Sequence, residues 1–335
     1  MSIKKVLGRV EHIDLKKPWW DKNSIDSLSV GGKVFLAASD IQIDDIDKIS
    51  CILFNKTEAK NYDVGDLYAI VENGGWTLDA FYEICKGKSR DLNGDGKLND
   101  DDFLAFIGQD AVLESFFNGG GGKMAEKDEN DFFRFIFMSQ RNLDMCERIL
   151  DFMYDETVHI NAGILKNWSN GFAEGGGLFV FSNLIDARIW RNSEVEFGIL
   201  PIPKMFAEQN SYHSRVSVDG MGILSIPANA PDIDRTGIIA EALSAESRYT
   251  VLPAYYEIAL KGKYIRDDES GTMVDILLDT RLYDPGVVYG FGGFAASFWN
   301  IATTRSRDVV SRYEKAEPLI KRDIDKFTEA IGNIG

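Results

Sequence analysis

Short apolar runs alternate along this chain with amphipathic helical patterns. The apolar runs at 34–38, 52–54, 178–181, 195–200 and 222–226 have the length and composition of buried strands. Strands separated by helices are typical of α/β proteins, in which at least part of the sheet is parallel. The alternation therefore predicts an α/β fold.

Segments with helical periodicity lie between these runs or follow them. Thr77 can cap the first clear helix, whose apolar face includes Leu78, Phe81 and Cys85. Further amphipathic helices are predicted at 143–153, at 236–248 with the apolar residues Ile238, Ile239, Ala242 and Leu243, and at 313–331. Each of these helices is expected to pack an apolar face against the sheet or against another helix.

Length and charge limit the kinds of partner. The 335 residues are enough for two domains, and 53 acidic against 37 basic residues give a net charge of −16. Such a chain is a poor candidate for binding nucleic acid through its phosphates, and anionic membrane surfaces would repel it. Neutral ligands and cations suit it better. No apolar run approaches the ~18 residues that a spanning helix needs.

The first residues and the cysteines, taken alone, both favour a cytosolic location. Arg9 and Glu11 interrupt the start before an apolar segment can form, so we expect no signal peptide in this chain. Cys51, Cys85 and Cys146 are odd in number and far apart, which predicts buried free thiols and no disulfide framework.

The sharpest motif is an acidic loop at 91–102 that matches a twelve-residue calcium loop. Gly96 stands at the sixth position, where the turn requires glycine, and Leu98 is the usual apolar residue at the eighth. The candidate ligands, with Lys97 acting through its backbone carbonyl, are Asp91, Asn93, Asp95, Lys97, Asn99 and Asp102. The spacing predicts a structural Ca²⁺ ion, and the alternative is a solvated acidic turn.

The last position departs from the common pattern, because Asp102 replaces the longer bidentate Glu. In this respect the loop resembles those of dockerins and related extracellular modules. Only one such loop is visible, and calcium sensors usually have paired loops. A constitutively filled site is therefore favoured over a sensor.

Other chemical motifs are weak. The run 290–295 satisfies a GxGxxA pattern, but it lies near the C-terminus without the ribose-binding acid expected of a dinucleotide site. His12, His159 and His213 are isolated from one another, and the chain has no GxSxG nucleophile motif. A glycosidase-like acid pair cannot be told from solvated carboxylates by counting. We therefore predict binding and no catalysis.

The order and spacing of several segments resemble the extracellular solute-binding proteins of ABC transporters, the family that includes maltose-binding protein, and among them the Gram-positive sugar-binding subgroup. The segment 197–204, Phe-Gly-Ile-Leu-Pro-Ile-Pro-Lys, resembles the stretch that returns to the first lobe. The other matching segments are 15–21, 31–38, 53–56, 75–79, 118–121, 172–180, 242–256 and 277–284.

This resemblance implies a periplasmic-binding-protein-like α/β fold with two lobes joined by hinge crossovers. Family members begin with a lipoprotein signal and a first βαβ block, whereas this chain starts near the first crossover. We therefore expect an incomplete lobe 1 made of 1–38 and 203–268. Lobe 2 would comprise 41–199 and 269–335 and would carry the calcium loop.

The resemblance also implies the function: binding of an extracellular carbohydrate, an oligosaccharide by preference, and its delivery to ABC permease subunits. It implies a monomer outside the membrane and at the cell surface. The residues placed by resemblance in the cleft, as ligand contacts, are Asp40, Trp76, Asn118, Ser182, Asp219 and Phe291. For any single tryptophan, ordinary packing is the competing interpretation.

Two alternatives stay open at this point. One is a calcium-stabilised, dockerin-like module of the cell surface that binds no small molecule. The other is a carbohydrate-active enzyme with an acid pair. Calcium dependence without sugar dependence would indicate the first, and turnover of a glycoside would indicate the second.

Overall fold

The computed structural model describes residues 6–166, 168–218, 220–255 and 268–334. Its main sheet has five strands in the order β5-β2-β6-β1-β7. The strands of the described residues are β1 Ser50–Asn55, β2 Leu104–Gly108, β3 Ala125–Lys127, β4 Phe133–Phe135, β5 His159–Asn161, β6 Gly177–Asn183, β7 Phe197–Leu200, β8 Ser214–Arg215 and β9 Arg281–Leu282. β3 and β4 form an antiparallel pair, and β8 and β9 form a parallel pair.

The main sheet is mixed. β2 runs parallel to both β5 and β6, whereas β1 lies antiparallel between β6 and β7. Ile52 stands opposite Phe181, and Phe106 stands opposite Phe179. The predicted α/β class with a partly parallel sheet is confirmed.

Both faces of this sheet are covered, which explains why its strands read as continuous apolar runs. Alternate side chains of β1 enter different clusters: Ile52 packs into the larger hydrophobic cluster, and Leu53 packs into the second one. The rings of Phe81, Phe106 and Phe179 meet at 5.0–5.1 Å in edge-to-face geometry at the centre of the larger cluster.

The helices of the described residues follow the predicted periodicity in most places. They are α1 Lys22–Leu28, α2 Asp44–Asp47, α3 Lys56–Asn61, α4 Leu67–Glu72, α5 Leu78–Cys85, α6 Ala111–Gly119, α7 Gln140–Tyr154, α8 Trp168–Ala173, α9 Leu184–Ile189, α10 Ile233–Tyr249, α11 Val251–Pro253, α12 Asp268–Asp279, α13 Pro285–Val288, α14 Phe294–Thr303 and α15 Val309–Gly332. Thr77 caps α5 as predicted, since its Oγ1 accepts a hydrogen bond from Ala80 N at 3.2 Å.

One smaller expectation, that of buried free thiols, is also confirmed. The three cysteines are free and buried. In the described parts of the chain, no helix is both long and apolar enough to span a bilayer.

The runs 34–38 and 222–226 differ from the prediction, because neither forms a strand of the structure. They touch through a single bridge between Ala37 and Leu224. A strand needs a continued ladder with a neighbour, and among the described residues this pair has only the one bridge.

Helix α10 forms where it was predicted, but its large apolar residues do not pack inward. Ile238, Ile239 and Leu243 are 49%, 49% and 48% exposed. The buried positions are the small residues Gly237, Ala240, Ser244 and Ser247. A close approach explains this choice: a Cβ at Gly237 would lie 2.6 Å from a Val10 methyl group.

A third, small hydrophobic cluster joins the N-terminal residues to the chain around α10. It contains Leu7, Trp20, Ala37, Ile226 and Ala240 among its members. These residues come from the two segments that the sequence assigns to lobe 1. The division of the chain into lobes itself stays a prediction.

We expect Phe81→Ala to lower the free energy of unfolding by about 3–5 kcal/mol, because it opens a cavity among four buried rings. Leu319→Ala is the control, since Leu319 is 44% exposed and should change stability by less than about 0.5 kcal/mol. Urea unfolding measures both variants. Similar losses in the two would contradict the described core.

Candidate functional site

A cavity of about 620 Å³ opens beside the first predicted crossover. Its walls come from residues of 15–26, from Asp40, from Arg248 on α10, and from 278–281 at the end of α12 and the start of β9. This volume lies within the range of small-molecule sites in proteins.

Backbone hydrogen bonds place Asp40 in this cavity. Asp40 N donates to Trp19 O at 2.9 Å, and Asp21 N donates to Ala38 O at 2.9 Å. Asp21 then caps α1 by accepting from Ser24 N at 2.5 Å. The N-terminal segment and the crossover are therefore held side by side, and Asp21 and Asp40 both line the cavity.

A buried guanidinium, that of Arg281, lines the cavity and binds two carboxylates. Arg281 donates to Asp45 at 2.7 Å and pairs with Asp21 at 2.5 Å, and its Nε donates to Leu278 O at 3.1 Å. All three charged side chains are less than one-fifth exposed. Arg281 thus connects α1, α2 and β9 at one point.

Helix α10 closes another side through polar contacts. Arg248 pairs with Asp40 at 3.3 Å, and Ser244 Oγ lies 3.1 Å from Ser39 Oγ. One turn earlier, Glu241 accepts hydrogen bonds from the indole N–H groups of Trp19 and Trp20, at 3.1 and 3.0 Å. The wall is therefore fixed by charge-assisted hydrogen bonds.

Burial shifts the acidic groups of the site. Burial raises the pKa of Asp45 to about 6, with Arg281 acting in the opposite direction. Burial also raises the pKa of Asp40, against the lowering effect of Arg248. Asp45 Oδ1 is buried and has no hydrogen-bond partner among the described residues.

The lining combines donors, acceptors and apolar surface. Lys16, Lys22 and Arg248 offer donors, Asp40 offers an acceptor, and Trp20 is part of the wall. Hydroxyl groups of a neutral polyol both donate and accept hydrogen bonds, so such a lining can bind them.

Of the predicted ligand contacts that fall within the described residues, Asp40 alone lines this cavity. Trp76 is 0% exposed, and its Nε1 donates to Pro201 O at 2.8 Å. The burial of Trp76 fits ordinary packing, which is the competing interpretation for a lone tryptophan. Asn118 is also buried, and its Nδ2 donates to Gly122 O at 2.9 Å, which closes the glycine turn.

Two more predicted contacts within the described residues, Ser182 and Phe291, also lie away from the cavity. Ser182 is buried in β6, and its Oγ donates to Asp186. Phe291 packs among Phe133, Tyr289 and Phe327 in the larger cluster. Asp219 lies outside the described residues. The buried positions differ from cleft-facing ones, because core packing and internal hydrogen bonds use their surfaces.

A second polar group, which the sequence reasoning missed, lies at the carboxyl edge of the main sheet. Asp110 follows β2 and accepts hydrogen bonds from Asn161 Nδ2 at 2.9 Å and from Thr303 Oγ1 at 2.8 Å. Open α/β sheets bind ligands at this edge. Polar residues directly after or at the end of apolar runs were the signal that could have found it.

In the acidic loop, side-chain oxygens accept hydrogen bonds from the loop's own backbone N–H groups. Asp91 accepts from Gly94 N at 2.6 Å and from Gly96 N at 2.8 Å. These hydrogen bonds, that from Gly96 first, hold the pKa of Asp91 below its ordinary value. Gly94 and Gly96 both have positive φ, at 77° and 78°, as the two sharp turns require.

Asp102 differs from the exposed ligands of the loop, because it is buried and accepts from Leu92 N at 2.8 Å and from Asn99 N at 2.9 Å. Among the described residues, no group of three or more His, Cys, Asp or Glu side chains is placed to hold a metal ion. A cation here would therefore need the amide and backbone oxygens, those of Asn93 and Lys97, as well as the carboxylates.

Comparisons with known proteins find solved structures that share this fold. No protein-family model matches the chain, and no curated protein matches it in sequence. Solved structures do match. The maltose/maltodextrin-binding domain MalE of Bdellovibrio bacteriovorus, bound to maltotriose, has a TM-score of 0.58 at 13% identity, covering 97% of this chain and 80% of that one.

Two further structures agree. UgpB from Mycobacterium tuberculosis, in complex with glycerophosphocholine, has a TM-score of 0.59 at 14% identity over 97% of this chain and 78% of that one. Apo RafE from Streptococcus pneumoniae has a TM-score of 0.56 at 14% identity, over 96% and 80%. This chain has the MalE-like fold. The predicted fold class is confirmed, and the chain spans about four-fifths of the length of these MalE-like proteins.

Arg281→Met leaves Asp21 and Asp45 buried without their cation. We expect the free energy of unfolding at ~pH 8 to fall by about 3–5 kcal/mol. The pKa of Asp45 should rise above its present value of about 6, so protonation relieves the loss as the pH falls to ~5.

Urea unfolding at the two pH values checks this expectation. Arg248→Met is the control, because its pair with Asp40 is partly exposed and should contribute less than about 1 kcal/mol. A loss in Arg281→Met that does not change with pH would contradict the described ion-pair arrangement.

Proposed function

We propose that this chain is a solute-binding protein that takes up a carbohydrate and delivers it to an ABC permease, without catalysis. The observation that carries the proposal is its MalE-like fold over nearly the whole chain. Structures with this fold are described in complex with maltotriose, raffinose and cycloalternan. The fold favours this function over the dockerin-like alternative.

The cavity beside Asp40 is the proposed carbohydrate site. The carboxylate of Asp40 would accept hydrogen bonds from sugar hydroxyls, and Lys16 and Lys22 would donate to them. The guanidinium of Arg248, which pairs with Asp40, would add donors beside that carboxylate. A cavity of this volume suits a small oligosaccharide or part of a larger one.

We propose that closure moves two lobes, 1–38 with 203–268 and 41–199 with 269–335. The third hydrophobic cluster supports the first lobe, since its members come from those two segments. The main sheet and most residues of the two large clusters would form the body of the second lobe. Hinge closure around a ligand is a common form of domain motion.

The location and partners follow from this role and are part of the proposal. The chain would act outside the membrane, at the cell surface, and would contact permease subunits in its liganded form. The net charge of −16 is compatible with a neutral sugar ligand.

Thermal unfolding in a panel of mono- and oligosaccharides, maltotriose and raffinose among them, tests the proposal. A ligand at ~100 times its dissociation constant adds about 2.7 kcal/mol, so we expect a rise of a few degrees in Tm with one sugar class. The chain should melt cooperatively in every condition. Cooperative melting with no shift for any sugar would contradict carbohydrate binding.

The same assay locates the site. We expect Asp40→Asn to weaken binding of the sugar by about tenfold or more, equivalent to ~1.4 kcal/mol. Asp325→Asn, on the exposed side of α15, is the matched control and should bind as the unaltered chain does. Loss of binding in Asp110→Asn with none in Asp40→Asn would place the ligand at the sheet edge instead.

We also propose a structural Ca²⁺ ion in the loop 91–102. The hydrogen-bonded turns and the positive φ angles of its glycines support this assignment. Calcium at millimolar concentration should raise Tm by several degrees, as expected of a weak extracellular site, and a chelator should reverse the rise.

Asp95→Asn should remove most of that shift, because it deletes one ligand charge and keeps an oxygen that can accept from Lys97 N. Asp101→Asn is the control, since it changes a neighbouring acid at a position that does not bind the ion. Equal calcium responses in the two variants would favour the solvated acidic turn.

A further inference from the structure

One Asn-Gly pair of this chain lies in an arrangement that favours a reaction within the backbone. Asn is followed by Gly at 73–74, 93–94, 118–119 and 170–171. In such a pair the backbone nitrogen of the glycine can attack the side-chain amide of the asparagine, which leads to deamidation. Glycine permits this attack best, because it has no side chain to shield the nitrogen or to restrict the backbone.

At Asn93 the attacking nitrogen stands beside a base. Gly94 N donates to Asp91 Oδ1 at 2.6 Å. Hydrogen bonds from Gly96 N and Gly94 N hold the pKa of Asp91 below its ordinary value, so this carboxylate is ionised at neutral pH and can accept the proton of Gly94 N. Asn93 and Gly94 are both exposed, and no atom of the described residues lies within 4 Å of where a Cβ of Gly94 would be.

The side-chain amide of Asn93 is held and polarised as well. Asn93 Oδ1 accepts a hydrogen bond from Asp95 N at 2.9 Å. This contact to the second residue along folds the side chain back over the Gly94 peptide. It also places a donor on the oxygen where negative charge develops when the amide carbon is attacked, which stabilises that intermediate.

The other Asn-Gly pairs are less favourably arranged. Gly74 N donates to Val71 O at 2.9 Å, which is a backbone carbonyl and a far weaker base than a carboxylate. Asn73 Nδ2 donates to Ala69 O at 2.8 Å. Asn118 is only 2% exposed and lies in α6, and the fourth pair lies in α8. Helical dihedrals oppose the backbone rotation that ring closure requires.

We propose that Asn93 is a site of spontaneous deamidation. Gly94 N gives its proton to Asp91 and forms a bond to Cγ of Asn93. The bond from Cγ to Nδ2 then breaks, and Nδ2 leaves as ammonia with that proton. Water opens the cyclic imide: attack at Cγ gives an aspartate at this position, and attack at the main-chain carbon gives an isoaspartate. No atom changes its oxidation state, and water is the co-reactant.

The modification would change the acidic loop, a consequence that rests on the proposed calcium site. An aspartate at the third position adds a ligand charge, which strengthens calcium binding. An isoaspartate lengthens the backbone of the loop by its side-chain carbon and so displaces the ligands that follow. Aged protein would therefore be a mixture of tighter and weaker calcium-binding forms.

Peptide mass spectrometry of the full chain, incubated without calcium, tests the proposal through the gain in mass when an amide becomes an acid. We expect this gain at Asn93 about tenfold faster than at Asn73 in the same sample, because only Gly94 N has a carboxylate as its acceptor. Asn118 should not react. Equal rates at Asn93 and Asn73 would overturn the proposal without the need for any variant.

Two variants test the role of the base. Asp91→Asn should slow deamidation at Asn93 by about tenfold or more, because it removes the proton acceptor. Asp101→Asn is the control, since it changes an exposed acid of the same loop and should leave the rate unchanged. Equal rates in the two variants, with both folded by circular dichroism, would contradict the assigned role of Asp91.

Asn93→Asp supplies one of the expected products and separates this proposal from the calcium site. It should have a higher Tm than the unaltered chain when calcium is limiting. Deamidation at Asn93 with no calcium response in either chain would contradict the calcium site and still support the modification. A calcium response in both chains without deamidation at Asn93 would overturn the modification alone.

Discussion

The structure depends on the buried guanidinium of Arg281. It is the shared partner of Asp21, which caps α1, and Asp45, on α2 just beyond the first crossover. Three segments far apart in sequence thereby meet at one charge. A buried cation between two carboxylates is stable only while all three groups remain in place. The crossover and the N-terminal segment therefore depend on each other for their positions.

The larger body of the molecule is held differently. Continuous apolar strands cross a mixed sheet whose two faces are covered, and stacked and edge-to-face rings around Phe81 fill the centre. Apolar packing dominates the centre of this body. The polar features lie where it ends: the Asp110 group at the carboxyl edge of the sheet and the cavity of Asp40 beside the crossover. Such a division suits a rigid scaffold that carries a binding site at its rim.

Local rules explain what the sequence could predict. Thr77 caps α5 because its side chain and the following apolar spacing both favour a helix start, and the runs around Ile52 and Phe179 are buried strands because both sheet faces are covered. Tertiary partners decided the rest. The run 34–38 lacks a ladder, α10 packs through small residues, and Trp76 is held inside by Pro201 O. None of these partners can be read from local pattern.

The most direct test of carbohydrate binding is a crystal structure of the chain grown with the oligosaccharide that stabilises it most. The account predicts electron density for sugar in the cavity, within hydrogen-bond distance of the carboxylate of Asp40 and beside Arg248. Density at the sheet edge around Asp110 would show that the sugar binds there, and carbohydrate binding would still hold. An empty cavity and an empty sheet edge, in crystals saturated with that sugar, would contradict the claim that this chain binds carbohydrate.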